Sequence, residues 1–459
     1  MLSSASNPST SLAINTGVPL RARESSKMSR YARAYHEGLV IALLLSWSPS
    51  NLLAYGAPFL MLGWYIARTR SKTVVRNLIL VGMLWLIFIL AHLPFIGDFA
   101  WVAALLTGLT YSAFIPILVI PTRFLVTNQL FPRIQRWAVG FVLLEGVWGI
   151  TQAVYGYAQM GSFDLSNGDL VEGTIHPGLQ SEASFANPMF AANMVVLLLV
   201  LMPTFLTRRK YFVAIGIGLV SLILASVVHI LLFLAVACIV VGILYGTQFL
   251  RRWSSWLFVI LALSAALLAT NLLSRNLNAI STSVSTTLRA ETPRGVVVKR
   301  VFETMPKEYP LMPLFGLGPG QFSSRAALIV TGRYFAGTEL PLPVQMSEPM
   351  ADYFWQDFLR ARSVRYYGST QQPAFSLLSF YTEMGVVVFI LLVLFIVLLL
   401  LRIRRRARTY SEQVHAMALS IGILFIVFLG IQENYWEVPQ AIFPGLLILK
   451  TMYVHLIAR

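Results

Sequence analysis

The sequence predicts an all-α polytopic membrane protein of about twelve transmembrane helices, with one long external loop carrying short amphipathic helices. Three observations lead there. The chain is 57% hydrophobic and only 12% charged, about half the charged share of a soluble domain, which is roughly 25%. Apolar runs of about 17–25 residues recur along it, the length a helix needs to cross a bilayer. The formal net charge of +16 sits mostly in short segments between those runs, where cytoplasmic loops accumulate Lys and Arg. Topology thus accounts for the charge, and no nucleic-acid partner is expected.

Taken in order, residues 1–36 are polar and Ser-rich, with Arg21, Arg23, Lys27, Arg30 and Arg33. No apolar core with a small-residue cleavage site precedes Tyr35, which favours a disordered cytoplasmic tail over a cleaved signal. An organellar transit peptide is the minority reading of the Ser/Arg bias. The bundle then opens, over 37–272, with an apolar run at 38–67 broken by Ser46-Trp-Ser-Pro-Ser-Asn51. Arg30 and Arg33 precede that run, and Arg68, Arg70, Lys72 and Arg76 follow it. Basic residues on both flanks predict a hairpin of two short segments; a single span would invert everything downstream.

Further spans are expected at 77–96, 99–120, 137–158, 189–206, 211–226, 228–246, 254–272, 375–401, 415–431 and 438–457. With the N-terminus inside, the loops bearing Arg123/Arg133/Arg136, Arg208/Arg209/Lys210, Arg251/Arg252 and the Arg402–Arg408 cluster all fall on one side, so both termini are expected in the cytoplasm. The one cysteine, Cys238, lies in an apolar run and reads as a small buried hydrophobe. Two longer loops fall outside. The first, 159–188, holds Asp164, Asp169, Glu172 and Glu182 and no Lys or Arg. The second is the polar stretch 273–373, after which the C-terminal part of the bundle occupies 374–459.

Within the long loop, 294–308 spaces Val298, Val301, Phe302 and Met305 as one apolar helix face, and 351–365 does the same with Phe354, Trp355, Phe358 and Leu359. Both read as amphipathic helices at the outer interface, or as a roof over the bundle. Between them Gly316, Gly318, Pro319 and Gly320 force a tight turn. That turn lacks the Lys-Ser/Thr and the preceding strand of a phosphate loop. No metal or nucleophile constellation emerges, and no cofactor is expected. The remaining anion-binding chemistry is guanidinium, which grips phosphate oxygens in a fork. Arg275, Arg289, Arg294, Lys299, Arg300, Arg325, Arg333, Arg360, Arg362 and Arg365 gather in this loop, facing either a specific anionic substrate or anionic lipid heads. Ionisable residues inside spans mark function or buried hydrogen bonds; here they are Glu145 and His229, with His92 and His415 nearer span ends.

The order of motifs resembles the O-antigen ligase and O-antigen/exopolysaccharide polymerase superfamily. It is carried by Arg294 sixteen residues before Pro310, then Gly316-Leu-Gly-Pro-Gly-Gln-Phe322, then a polar lead-in to a span with Glu383-Met-Gly385, over about 140–440. Ser181-Glu-Ala-Ser-Phe-Ala-Asn-Pro188 resembles the family's earlier external motif. The resemblance implies a GT-C-like, metal-independent transferase in the bacterial inner membrane. Its expected partners are an undecaprenyl-diphosphate-linked glycan, an acceptor glycan or glycolipid, membrane lipids and a chain-length regulator. Arg294 would hold the diphosphate leaving group. Arg300, Gly316, Gly318, Gly320, Gln321, Gln372 and Glu383 would shape the substrate site. Ligases of the family carry a His-Asn pair where this chain has Ala374-Phe375, which favours the polymerase over the ligase. His229, Glu182 or Glu145 would then serve as base. A flippase of lipid-linked sugars is the reading from another class, and the one-sided loop argues against it.

Overall fold

The computed structural model describes residues 29–161, 170–179, 186–207, 209–246, 285–332, 344–363 and 372–458. The expected span at 254–272, the candidate base Glu182, and Arg275, Arg333 and Arg365 lie outside these described residues. Among the described residues there are helices and no strands. The bundle opens with α1 (Arg30–Ser46), α2 (Asn51–Thr69) and α3 (Lys72–His92), each started by a serine. The hydroxyls of Ser29, Ser50 and Ser71 accept the N–H groups of Ala32, Leu53 and Val74, satisfying donors that a helix start leaves open. Then come α4 (Trp101–Thr110), α5 (Ile115–Val119), α6 (Leu130–Met160), α7 (Ala186–Leu201), α8 (Arg209–Ala225) and α9 (Val228–Tyr245). The external segment supplies α10 (Pro293–Glu303), α11 (Arg325–Val330) and α12 (Gln356–Ser363). The chain closes with α13 (Ser376–Arg406), α14 (Tyr410–Leu429) and α15 (Pro439–Ala458).

Among the described residues, seven helices are long and apolar enough to cross a membrane, or eight if α4 and the following Ser112–Val119, bent by 43°, form one span. The protein is therefore a helical, polytopic membrane protein. The broken first run folds back on itself as the flanking charges predict. Glu37 near the start of α1 lies 3.5 Å from Arg68 near the end of α2. Arg30 Nε also donates to the Arg68 carbonyl at 2.5 Å.

The basic segments near residues 30, 68, 123, 133 and 408, among the described residues, gather at one end of the bundle. Phe131, two residues before Arg133, stacks on His455 at 4.5 Å and meets His415 edge-on at 4.7 Å. The starts of α6 and α14 and the end of α15 therefore share that end. Helix α3 leaves it at Lys72 and rises about 1.5 Å per residue. At its far end His92 Nε2 lies 2.8 Å from the Phe315 carbonyl, beside the glycine-rich turn.

Two main apolar cores, with a minor cluster at Ala100, Ala103 and Val330, follow from this division among the described residues. The large one fills the bundle around α7, α14 and α15, where nearly every residue of α15 is buried. A small one under the external segment joins Val297, Val301, Met305, Phe322, Phe354 and Phe358. Helix α10 is amphipathic as expected, but its buried stripe is Arg294, Val297, Val301 and then Met305. Phe302, expected inside, is 57% exposed and stacks on Tyr381 at 5.1 Å. The 294/297/301 spacing follows the helical repeat more closely and leaves Phe302 on the flank.

Candidate functional site

Two polar assemblies sit at the end of the bundle opposite the basic loops. The first is the glycine-rich turn. Glu383, in the first turns of α13, is 1% exposed. One of its carboxylate oxygens accepts Gly320 N–H at 2.6 Å, and the other accepts Phe322 N–H and Ser324 N–H, each at 3.0 Å. The backbone completes the junction, with Leu317 N–H donating to Thr382 O at 2.8 Å and Gly318 N–H to Glu383 O at 3.0 Å. Helix α13 is kinked at Gly385 (φ 77°), where a Cβ would meet Leu314 O at 2.3 Å. Gly316 (φ 84°) is its counterpart, since a Cβ there would meet Glu383 O at 2.3 Å. Such backbones pass this closely only without side chains. Gly318 abuts His92, and Gly320 abuts Ala103 of α4. The Gln321 amide accepts Ala100 N–H at 2.9 Å and donates to Ala100 O at 3.2 Å, anchoring the start of α4.

The expected substrate contacts Gly316, Gly318, Gly320, Gln321 and Glu383 are thus brought together as a buried latch. Its hydrogen-bonding groups are spent on one another, and none of the five lines a cavity described here. Beside it lies Glu437, fully buried, whose carboxylate accepts Arg325 N–H and whose carbonyl accepts the Tyr55 hydroxyl at 3.0 Å. Burial, and then the neighbouring Glu383, hold the Glu437 carboxyl well above the usual carboxylate range, against hydrogen bonds from Arg325 N–H and Tyr111.

The second assembly is an open cleft of about 340 Å³. His176, Arg325, Gln372, Glu433, Asn434 and Gln440 supply its polar lining, and Met189, Leu328, Phe358, Tyr435 and Val438 its apolar and aromatic walls. Of the expected substrate residues, Gln372 lies here. Ala374 lines the same cleft. The wall at 430–437 connects α14 to α15 and is held from several sides. Ser376 N–H donates to Glu433 O at 3.1 Å, Leu377 N–H to Gly430 O at 2.9 Å, and the Asn434 amide to Ser323 O at 3.0 Å.

Arg294 braces the back of this wall. Its guanidinium donates to Gln432 O at 3.2 Å and to Ile431 O, and lies 4.1 Å from the Phe375 ring centroid. It is 9% exposed, and burial pushes its guanidinium down to about 10, which nearby Glu433 opposes. Arg300 lies further out, donating to Asp357 at 2.5 Å and to Tyr353 O at 3.2 Å, and so ties α10 to α12. His229, at the start of α9, contacts the cleft residue Tyr435: Nε2 is 3.2 Å from the hydroxyl, and the rings lie 6.2 Å apart. Glu145 accepts Thr174 N–H at 2.9 Å and the Thr174 hydroxyl, so it anchors the first external loop. Among the described residues, no group of three His, Cys, Asp or Glu side chains is placed to hold a metal ion.

Sequence reasoning missed three features here. The wall 430–437 falls largely in the gap between the expected spans 415–431 and 438–457. Yet it places Glu433 and Glu437 close together in a chain with only 19 acidic residues, a signal that was readable. His176 belongs to no motif in the sequence, although it stands four residues after Glu172. Lys450, in the last span, donates to Ile117 O at 2.8 Å, Ile120 O at 2.5 Å and Pro116 O at 3.3 Å, and so caps the C-terminal end of α5.

Comparison with protein-family models, curated proteins and solved structures finds no match to this chain.

Proposed function

We propose that this protein is a membrane glycan polymerase, joining undecaprenyl-diphosphate-linked oligosaccharide repeats at the outer face of the bacterial inner membrane. The observation that carries this reading is the cleft at the non-basic end of the bundle. One guanidinium, amides, a carboxylate and aromatic rings line it together. Guanidinium suits a diphosphate; amide, carboxylate and aromatic groups suit a sugar's hydroxyls and faces. Arg325 is the cation lining the cleft, and Arg294 fixes the wall that carries Glu433, Asn434 and Tyr435. Ala374 puts a methyl group where a ligase of the resembled superfamily carries histidine, which supports polymerase over ligase.

The proposed architecture is GT-C-like with twelve spans. The seven long helices, the bent α4–α5 pair, α1, α2 and α8 account for eleven, and 254–272 would be the twelfth. Both termini would be cytoplasmic, since the basic loops share one end. A chain-length regulator would be a natural partner.

The test is Arg294→Ala in the native host. Long-chain polysaccharide should fall by about tenfold or more, with single repeats accumulating on the carrier, while the protein remains in the membrane. Removing the guanidinium strands two carbonyls of the wall, at about 1–3 kcal/mol. Wild-type polymer length and amount in that strain would sink the reading. Repeats trapped on the cytoplasmic face would transfer it to a flippase.

A further inference from the structure

The segment 170–179 is folded around two side chains of α6. The Gln152 amide donates to Gly178 O at 2.8 Å and His176 O at 2.9 Å, and its oxygen accepts Gly173 N–H at 2.8 Å and Glu172 N–H at 3.0 Å. Glu145, two turns earlier on α6, takes the Thr174 N–H and hydroxyl. Six of the segment's polar groups are thereby fixed from below, and this positions one carboxylate–imidazole pair at the cleft. Glu172 Oε2 lies 2.5 Å from His176 Nδ1. The glutamate side chain is 2% exposed and the imidazole 32%, so the acid is inside and the ring faces the opening. His176 lines the cleft together with Arg325, Glu433 and Asn434.

The buried carboxylate lies beside Nδ1, on the inner edge of the ring, and leaves Nε2 as the nitrogen on the cleft side. This is an imidazole oriented with one nitrogen toward a carboxylate and the other toward the cavity, in the same lining as a guanidinium. A histidine serving only to brace the loop would have no use for the open edge of its ring.

We propose that His176 is the general base of the transfer and Glu172 its positioning residue. This rests on the transferase reading above. The acceptor hydroxyl gives its proton to His176 Nε2 as its oxygen bonds to the anomeric carbon of the donor. The bond from that carbon to the diphosphate oxygen breaks, and its electron pair leaves with the diphosphate. The proton then passes from His176 to water.

The experiment uses membranes from the native host, which supply their own lipid-linked donor, with polymer formation followed over time and pH. His176→Ala should lower the maximal rate by about 10²–10⁴-fold, the usual contribution of a positioned base, with the half-saturating donor concentration and Tm little changed. His176→Gln, which keeps volume and polarity, should fail equally. Glu172→Gln should lower the maximal rate less than His176→Ala does and leave the half-saturating donor concentration unchanged, because the imidazole loses the carboxylate that orients it. Added imidazole should restore part of the His176→Ala rate. A normal rate in His176→Gln would overturn the assignment while leaving the transferase reading intact. So would a loss that appears wholly in donor affinity. If wild-type membranes transfer no glycan, the transferase reading fails, and the base with it.

Discussion

The latch at Glu383 and the cleft beside it are built from the same kinds of residue and end in opposite states. In the latch, a buried carboxylate collects three backbone N–H groups, and glycines bring the chains into contact. In the cleft, a half-exposed imidazole, a guanidinium and amides face a cavity. A carboxylate with its hydrogen bonds filled rigidifies a junction; one that fills only one side of an imidazole prepares it for a proton. The density of glycine thus marks where backbones must pass closely, and reactive groups stand a few residues away, on the wall that those backbones fix.

The sharpest way to break the comparison is Gly316→Val. Its Cβ would overlap the Glu383 carbonyl at 2.3 Å on a backbone at φ 84°, beyond what a few kcal/mol of relaxation absorbs. Folded protein in the membrane, measured by detergent size-exclusion chromatography, should fall close to zero. Normal yield would mean the latch is not structural. Substitutions in the cleft such as His176→Gln should instead leave that yield intact.

A smaller effect separates the two acids of the junction. Glu437 carries its proton more tightly folded than unfolded, so stability is lost as pH rises from the unfolded value of about 4.3 toward the raised folded value. Glu437→Gln abolishes that dependence while leaving an oxygen for Arg325 N–H. Its Tm advantage over wild type should therefore widen between about pH 5 and pH 8. A constant difference would mean that Glu437 is ionised in the fold. Smallest of all, a double-mutant cycle on Arg300 and Asp357 should give a coupling of about 1 kcal/mol or less, as for a pair with one half-exposed partner. A coupling several-fold larger would promote Arg300 from a strut between helices to part of the site.

The helices were legible because a bilayer imposes length and apolarity at once, and the hairpin at 47–50 because charge flanks it on both sides. The meeting of Gly316–Phe322 with Glu383–Gly385 was readable as a shared neighbourhood, but its purpose was not. Sequence marks glycine where φ is positive, and cannot tell whether the pocket that results holds a ligand or another strand of backbone. The cleft was harder to see. Its lining comes from seven stretches of chain scattered between Pro49 and Gln440, each contributing too few residues to carry periodicity. Arg294 was expected to hold the diphosphate itself; its burial against Ile431 and Gln432, outside the cleft lining, depends on a contact across more than a hundred residues.

Lys450 has one more consequence. Its ammonium sits in α15, which is synthesised after every other helix described here, and its three acceptors belong to residues 116–120. A charge at that depth in lipid is costly until it finds such partners. The early helices, for their part, leave the groove later filled by α15, where Tyr35 closes with a hydrogen bond to Leu447 and Tyr55 to Glu437 just before that helix. Assembly of the bundle therefore waits on its final helix: the earlier ones leave the ribosome first and hold an unfinished cavity until Lys450 arrives to close it.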